Sequence, residues 1–390
     1  MIKKHSRQII IPIIFVLLIA NMLCIFGFKN TNSSINITSL TTAKSMCVIE
    51  KDTGKVLYNK DMHTARANAS TTKVATAITV IQNCDNLDEV ITVNDLAVGI
   101  EGTSIYLRKG EKISVRDLLY GLMLRSGNDS ACALAYHVSG SIEEFAKLMN
   151  KTAQIAGAKN TNFANPHGLD EPNHYTTAYD LAMITAYALN NPIFKEIVST
   201  KQYIIEETNT SETRYLTNKN KLLKSLEGCV GVKTGFTTKA GRCLVSAAER
   251  AGMTLVCVVL NCGPMFEESA TLLNKGFNEY TFSTVVDKDK VIYNEYYINN
   301  EKGQLNLKAT ESYHLPLKNN KTENIVIKYN LYEFKGDIDE GEEVGEINVF
   351  VDNHLQKTIK LYTINKIDVM NQQDLLNSIQ FIWEEKYEVK

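Results

Sequence analysis

The chain has 390 residues and a formal net charge of -2, from 42 lysines and arginines against 44 aspartates and glutamates. That length allows two or three domains with a sizeable core. The balanced charge argues against a nucleic-acid-binding surface and against an acidic solvating tail, and the 44% hydrophobic content is ordinary for a globular protein.

The first 28 residues differ from the rest of the chain. Lys3, Lys4 and Arg7 precede an apolar run from Ile9 to Phe28, which is the pattern of an export signal. The run is about 20 residues long, enough to span a bilayer as a helix, and shows no clear cleavage site. We predict a signal peptide or a retained membrane anchor over residues 1–28, and a flexible polar spacer over residues 29–44.

Residues 45–284 have strand patterns at both ends and helical patterns between them. A hairpin signal surrounds Asp52-Thr53-Gly54. Helical spacing follows at Ser70 to Gln82, Val115 to Leu124, Ser130 to Val138, Ile142 to Ala156 and Thr177 to Leu189. Strand-like runs at Val230 to Thr238, Cys243 to Glu249 and Thr254 to Leu260 precede a closing helix at Phe266 to Phe277. This order predicts an α+β domain, in which one antiparallel sheet holds an inserted helical lobe.

Residues 285–368 have a different pattern, with short strand candidates separated by glycine, asparagine and charged turns. The candidates are Val291 to Ile298, Leu305 to Ala309, Ile325 to Tyr332, Glu343 to Val351 and Lys357 to Tyr362. We predict a small, sandwich-like all-β domain there. Residues 369–390 place Leu375, Leu376, Ile379, Ile382 and Trp383 on one helical face. This pattern predicts an amphipathic helix that lies on a membrane or packs on protein.

Ser70 and Lys73 open the first helical run with the spacing S-x-x-K. Positions three apart share a helix face, so the amine is expected beside the hydroxyl. A serine needs a base to become a nucleophile, and a lysine kept neutral by burial and by a neighbouring cation can supply it. An isolated S-x-x-K is more often an exposed capping serine and a solvated lysine, so the prediction depends on two further segments.

Ser126-Gly127-Asn128 falls in the break between two helical runs. Alternate residues of an extended loop point to one side, so Ser126 and Asn128 are expected to face one cleft. There Ser126 can pass a proton between Lys73 and a departing amine, and Asn128 can hold Lys73 and a substrate amide. A plain turn between helices would use the same residue types.

Lys233-Thr234-Gly235 interrupts an apolar strand. Lys233 and Thr234 can bind a terminal carboxylate, and Gly235 lets a substrate backbone pair along the strand edge. The N–H groups of Ser70 and Phe236 are expected to form an oxyanion hole. The alternative is an edge strand that carries an exposed lysine.

The eight cysteines and seven histidines are scattered along the chain without a metal-ligand spacing or a dense disulfide framework. We therefore predict no metal site. One disulfide between neighbouring strands remains open.

Taken in order, the three segments resemble those of the D-alanyl-D-alanine carboxypeptidases of serine peptidase family S11, which are low-molecular-mass penicillin-binding proteins. The resemblance extends to Asn165 to Asp170, His174 to Ala182 and, in the β-rich region, Gly341 to Gly345. It implies a β-lactamase/transpeptidase-like catalytic domain over residues 45–284, followed by the all-β domain. His167 and Asp170 match a family loop and are expected to be structural.

The resemblance also implies residue roles. Ser70 would be acylated by the penultimate D-alanine of a peptidoglycan stem peptide, with Lys73 as base and Ser126 as proton relay. The residues that would hold the substrate are Asn128, Lys233, Thr234, Gly235 and Phe236. β-Lactams would acylate the same serine, no cofactor is implied, and the protein would act at the outer face of the bacterial cell membrane or in the cell wall.

The chain departs from the family pattern in two places. Asn68 stands where the family usually has proline, and Ala251 to Asn274 contains no lysine or arginine, although family members often carry a basic residue before the closing helix. A β-lactamase is one alternative, but Glu171 lacks the surrounding Glu-x-x-Leu-Asn pattern. A non-catalytic cell-wall binding protein of the same fold is another, and the presence of every chemical residue weighs against it.

Overall fold

The computed structural model describes residues 35–36, 41–298, 301–319, 323–332, 337–366 and 382–387. The predicted signal or anchor over residues 1–28 lies outside these ranges. No helix within them combines the length and the apolar character that crossing a membrane requires.

The described residues contain strands on both sides of a largely helical segment. In chain order the strands are β1 Ile35–Asn36, β2 Ser45–Glu50, β3 Val56–Lys60, β4 Val90–Thr92, β5 Lys112–Ser114, β6 Gln202–Ile205, β7 Arg214–Thr217, β8 Cys229–Thr237, β9 Gly241–Arg250, β10 Met253–Leu260, β11 Tyr280–Val286, β12 Ile292–Ile298, β13 Glu301–Ala309, β14 Tyr313–Lys318, β15 Ile325–Leu331, β16 Glu343–Val351, β17 His354–Thr363 and β18 Ile382–Tyr387. The helices are α1 Lys73–Asn83, α2 Val115–Tyr120, α3 Asn128–Ser139, α4 Ile142–Ile155, α5 Ala178–Leu189, α6 Pro192–Ser199, α7 Leu222–Ser225 and α8 Met265–Glu279.

The N-terminal region is built on one sheet in the order β1-β3-β2-β10-β9-β8. The pairs from β3 to β8 are antiparallel, and β1 adds to β3 in parallel. The sheet therefore joins the first hairpin to the last three strands of the region, as the sequence predicts. Strand β8, which carries Lys233-Thr234-Gly235, lies at the edge of the sheet.

Helices cover both faces of this sheet. On one face α1 is the central helix, and its residues from Lys73 through Ile81 are buried, because alanine, valine, isoleucine and threonine face the sheet and the surrounding helices. On the other face α8 packs Leu272 and Leu273 against Leu244 and Leu255. Side chains alternate along a strand, so β9 sends Cys243 and Val245 to the α1 side and Leu244 to the α8 side.

The C-terminal region forms a second, all-β domain. Its larger sheet has the order β12-β13-β17-β16-β15-β18, and β11 pairs separately with β14. Val285, Leu315 and Ile347 belong to one buried cluster, so both sheets contribute to a common core. Lys55 Nζ links the two domains through an ion pair with Glu323, 2.7 Å away.

Two predictions at the chain ends are wrong where the structure can be described. The predicted C-terminal helix over residues 369–390 is a strand at Ile382–Tyr387, which pairs with β15; residues 369–381 and 388–390 lie outside the described ranges. Without β18, the outer side of β15 would expose unpaired N–H and C=O groups. Within the predicted spacer, Ile35–Asn36 pairs with β3 and Ala43 is fully buried, so these residues belong to the N-terminal domain.

Candidate active site

Ser70 lies in a 3-10 turn, Ala69–Thr72, that leads directly into α1. The turn is held by Asn68, whose Nδ2 donates to Thr72 Oγ1 at 2.9 Å, while Thr71 Oγ1 donates to the Asn68 carbonyl at 2.6 Å. The Asn68 side chain therefore supplies a hydrogen bond to Thr72 that proline at this position would lack. The serine side chain is left half-buried at the tip of the turn.

Lys73 contacts Ser70 directly and is fully buried. Its Nζ lies 2.9 Å from Ser70 Oγ, 2.7 Å from Asn128 Oδ1 and 2.7 Å from the His167 carbonyl oxygen. The pKa of this lysine is lowered to about 7, chiefly by burial and in smaller part by the charge of Lys219, while Cys132 and Asp129 oppose the shift. The amine is therefore partly neutral at neutral pH.

The partners of Lys73 also determine where a neutral amine directs its lone pair. A neutral amine has two N–H donors and one lone pair. The amide oxygen of Asn128 and the carbonyl of His167 can only accept, so they take the two N–H groups. The lone pair then faces Ser70 Oγ, which is the arrangement a general base needs.

Asn128 is fixed in the orientation that this arrangement requires. Its Nδ2 donates to the Glu101 carbonyl at 2.6 Å, which leaves Oδ1 facing Lys73. Asn128 is the first residue of α3 and is buried. The structure thus brings Ser70, Lys73 and Asn128 into one hydrogen-bonded group.

Ser126 reaches the same region by a different backbone path from the one that the sequence predicts. It is not in an extended loop: it ends a π-helical turn, Gly121–Arg125, and adopts the left-handed conformation with φ +67°. Its side chain is buried. In the described part of the chain its hydroxyl makes no hydrogen bond to Lys73 or Lys233, so the predicted relay is not formed in this state.

Lys233 extends from edge strand β8 into the buried interior. Only 1% of it is exposed, and its Nζ donates to the Thr234 carbonyl at 2.8 Å. Burial, followed by the positive charges of Lys73 and Lys219, holds the pKa of Lys233 well below its usual value. Lys233 therefore lies within electrostatic range of Lys73 in the protein interior.

Gly235 packs directly against the turn that carries Ser70. A Cβ at this position would lie 3.0 Å from the Asn68 carbonyl oxygen and 3.1 Å from the Ser70 backbone nitrogen. Only a residue without a side chain lets the strand approach this closely. Gly235 thus sets the width of the gap between β8 and the Ser70 N–H.

The N–H of Phe236 points toward that gap, as deduced from the strand pairing. Phe236 lies opposite Arg242 on β9. The Arg242 carbonyl points away from β8, because it accepts a hydrogen bond of 2.8 Å from the Cys262 N–H. Phe236 and Arg242 therefore form a non-hydrogen-bonded pair, whose N–H and C=O groups point away from each other. The Phe236 N–H is directed to the open edge of the sheet, near the Ser70 N–H.

The loop at residues 165–170 contributes a group that side-chain patterns did not reveal. The His167 carbonyl binds Lys73. The imidazole of His167 is neutral, because burial, followed by the charge of Lys73, lowers the pKa of His167 to about 3. A Cβ on Gly168 would lie 2.0 Å from the Ala69 carbonyl oxygen. Asp170 accepts from Thr237 Oγ1 at 3.1 Å and so links the loop to β8.

One group of potential metal ligands lies among the described residues, apart from these side chains. Ligand atoms of Cys84, Glu89 and His137 lie within 4.8 Å of one another. His137 Nε2 already pairs with Glu89 at 2.8 Å. Burial, followed by the nearby carboxylates, raises the pKa of the Cys84 thiol to about 11.

The seven described cysteines are all free thiols, so the disulfide left open by the sequence does not form among them.

The comparisons with known proteins agree with this geometry. A family model described as D-alanyl-D-alanine carboxypeptidase, Peptidase S11, matches residues 30–263. A second, described as Penicillin-binding protein 5, C-terminal domain, matches residues 280–369. The first match covers more than half of the chain, so the protein belongs to the S11 family of D-alanyl-D-alanine carboxypeptidases.

Two curated relatives represent the sequence matches. The chain is 36% identical over 257 residues to D-alanyl-D-alanine carboxypeptidase DacF of Bacillus subtilis, a match that covers 64% of this chain and 66% of the relative. It is 32% identical over 322 residues to D-alanyl-D-alanine carboxypeptidase DacC of Escherichia coli, a match that covers 78% of this chain and 79% of the relative.

Solved structures match over most of the chain. Penicillin binding protein 5 from Haemophilus influenzae has a TM-score of 0.68 at 27% identity, covering 84% of this chain and 98% of that one. The D-alanyl-D-alanine carboxypeptidase DacD from Francisella tularensis has a TM-score of 0.64 at 24% identity, and the match covers 90% of this chain and 98% of that one. At this identity the match shows a shared fold alone.

These matches confirm the predicted family, the α+β catalytic domain with a following all-β domain, and the prediction of a serine-type D-Ala-D-Ala carboxypeptidase, a hydrolase of cell-wall peptides.

Proposed function

We propose that the protein removes the terminal D-alanine from peptidoglycan stem pentapeptides through an acyl-enzyme on Ser70. One observation carries this proposal: Lys73 Nζ lies 2.9 Å from Ser70 Oγ while two obligate acceptors occupy its other sites. This is the contact between nucleophile and base that acyl transfer requires.

In the acylation step the Lys73 lone pair takes the Ser70 proton, and Oγ attacks the carbonyl carbon of the penultimate D-alanine. The carbonyl oxygen becomes negative and is stabilised by the N–H groups of Ser70 and Phe236. One such donor is typically worth roughly 3 kcal/mol of activation free energy. The narrow gap that Gly235 permits keeps both donors within reach of one oxygen.

Collapse of this intermediate breaks the peptide bond and releases D-alanine, whose nitrogen needs a proton. We assign the transfer to Ser126, which takes a proton from protonated Lys73 and passes its own to the leaving nitrogen. Hydrogen bonds of this kind often tighten only when substrate is bound, which is consistent with the unbonded Ser126 hydroxyl.

The substrate peptide is proposed to pair along the open edge of β8. Asn128 holds the substrate amide, Thr234 and Lys233 face its carboxyl end, and Gly235 allows the close approach. Water then hydrolyses the ester on Ser70. A β-lactamase would need Glu171 to activate water. Glu171 is exposed and accepts a hydrogen bond of 2.8 Å from Asn165 Nδ2, so we assign it a structural role in the loop.

We further propose that the protein acts outside the cytoplasmic membrane, either held there by residues 1–28 or released into the cell wall after their cleavage. The basic start followed by an apolar run supports export, and peptidoglycan stem peptides are exposed outside the membrane. No nucleic acid or cofactor takes part in this proposal.

D-alanine release from a peptide ending in D-Ala-D-Ala tests the function. We expect the wild type to release D-alanine. Ser70→Ala should reduce the rate of release by at least about a thousandfold, because without the nucleophile only substrate binding and electrostatic stabilisation remain. Thr71→Ser removes only a methyl group from the same turn and keeps the hydroxyl that bonds to the Asn68 carbonyl, so it serves as the control that should retain activity. Equal release by wild type and Ser70→Ala would contradict the proposal.

A further inference from the structure

Three side chains that can bind a metal ion meet at the end of the helical lobe remote from Ser70. Ligand atoms of Cys84, Glu89 and His137 all lie within 4.8 Å of one another. Cys84 caps the C-terminus of α1, His137 lies in the last turn of α3, and Glu89 belongs to the segment between α1 and β4. His137 and Glu89 are 48 positions apart in the chain, so the sequence spacing does not predict this group.

The three side chains offer a donor set that suits Zn²⁺. This ion binds thiolate sulfur, imidazole nitrogen and carboxylate oxygen, usually as a tetrahedron, with bonds of about 2.0–2.3 Å, so its ligand atoms are about 3.4–3.6 Å apart. The present separations run from 2.8 Å, between His137 Nε2 and Glu89 Oε1, to at most 4.8 Å. Small side-chain rotations therefore bring all three ligand atoms into contact with one ion.

The surroundings of this group favour a cation and leave it a path from solvent. Cys84 is partly buried, whereas 26% of the His137 side chain and 42% of the Glu89 side chain are exposed. The carboxylates of Glu89 and Asp85 both act on the Cys84 thiol, so the charge close to the thiol is negative. The Val115 N–H donates to the Glu89 carbonyl at 3.1 Å, which anchors the Glu89 segment to the start of α2.

We propose that Cys84, Glu89 and His137 bind one Zn²⁺ ion, with water as the fourth ligand, and that the ion joins the C-terminal ends of α1 and α3. Binding releases the Cys84 proton to solvent, while neutral His137 binds through the Nε2 lone pair and carries its proton on Nδ1. Two metal bonds thereby replace the hydrogen bond between His137 and Glu89.

The bound ion acts on stability and not on the chemical step. Helix α1 begins at Lys73 and α3 begins at Asn128, so the two helices that carry this hydrogen-bonded pair meet the ion at their opposite ends. The 11 residues of α1, at 1.5 Å each, separate the ion from Lys73 by about 16 Å along the helix. An ion that binds the folded state alone stabilises it. Zn²⁺ binding here is independent of the proposed function.

Titration of the full chain with Zn²⁺ alone, by calorimetry and by thermal melting, tests the site. We expect one Zn²⁺ bound per chain, and a melting temperature raised by roughly 5–10 °C when free Zn²⁺ is 100 times its dissociation constant. Cys84→Ser and His137→Gln should each weaken binding at least about tenfold and reduce this increase by about half or more at the same Zn²⁺ concentration. Co²⁺ in place of Zn²⁺ should give a thiolate-to-metal absorption band that Cys84→Ser lacks.

Cys229→Ser and His63→Gln are the matched controls, because they remove a thiol and an imidazole elsewhere in the same domain. Both should bind Zn²⁺ as tightly as the wild type. Glu89→Gln keeps the shape of a solvent-accessible side chain, so its weaker binding tests the site even if the other two ligand variants fold poorly. The absence of saturable binding by the wild type, or equal affinity in the wild type and the three ligand variants, would overturn the proposal. So would an equal loss of affinity in the control and ligand variants.

Discussion

The backbone carbonyl of His167 accepts a hydrogen bond from Lys73 Nζ at 2.7 Å, although the two residues are 94 positions apart in the chain. With Asn128 Oδ1 it occupies the two N–H groups of the neutral amine, so the remaining lone pair faces Ser70. The orientation of the base thus depends on a loop that supplies no reacting side chain.

Acylation should depend on pH through Lys73. Burial lowers the pKa of this lysine to about 7, and the neutral amine is the active base, so the rate should rise with pH up to about 7 and then level off. Stopped-flow acylation by penicillin between pH 5 and 9 measures this. A rate that stays flat across the range would contradict the assignment of Lys73 as base.

Asn128→Asp should move that profile to higher pH. The substitution keeps the shape of the side chain but places a negative charge 2.7 Å from Lys73 Nζ, and an adjacent opposite charge favours the protonated amine. The midpoint should rise by about one pH unit or more, with acylation at pH 7 falling about tenfold.

A wild-type midpoint in Asn128→Asp would show that the two groups are not in contact. Asn150→Asp provides the control, because Asn150 also holds a loop, accepting from Phe163 N at 2.8 Å, but is not a partner of Lys73. Its profile should keep the wild-type midpoint.

Gly235→Ala should impair acylation more than it impairs folding. The added methyl group would lie 3.0 to 3.1 Å from backbone atoms of Asn68, Ser70 and Thr71, so β8 must move away from the turn and widen the oxyanion hole. Loss of one donor corresponds to a decrease of about a hundredfold or more in rate.

Gly263→Ala is the control for this change, because a Cβ there meets nothing within 4 Å. Acylation rates and melting temperatures of both variants should be measured together. If Gly235→Ala acylates as fast as Gly263→Ala, the close approach of β8 to Ser70 does not contribute to the reaction.

Removal of residues 382–390 should destabilise the C-terminal domain and leave the catalytic domain active. Strand β18 covers the outer side of β15, and its loss exposes an unpaired edge. We expect a lower melting temperature for the C-terminal transition, while D-alanine release per folded molecule stays within about twofold of the full chain, since the site residues lie in the other domain. A loss of catalytic rate in the folded truncated protein would contradict this.

The sequence was informative where the chemistry is carried by side chains at short spacing. Ser70 and Lys73 are one helical turn apart, and the hydrophobic periodicity placed α1, α4, α5 and the edge strand β8 close to their observed bounds. The predicted contact of Lys73 with Asn128 is present because both side chains project from helix starts into the same buried space.

The missed features depend on backbone groups or on distant pairing. A carbonyl such as that of His167 has no residue-type signature. The left-handed Ser126 arises from the π-helical turn before it, which hydrophobic spacing does not reveal. The apolar residues between Leu375 and Trp383 suit a helical face and so predict a helix, and only the open edge of β15 makes strand pairing the better outcome for β18.

Identification of the residue that penicillin acylates tests the central claim most directly. The intact mass should increase by one molecule of drug, and peptide mapping should place the adduct on Ser70. Lys73→Met, which keeps a long buried side chain but removes the amine, should form the adduct at least about a hundredfold more slowly. An adduct on another residue, or a wild-type rate in Lys73→Met, would contradict the account.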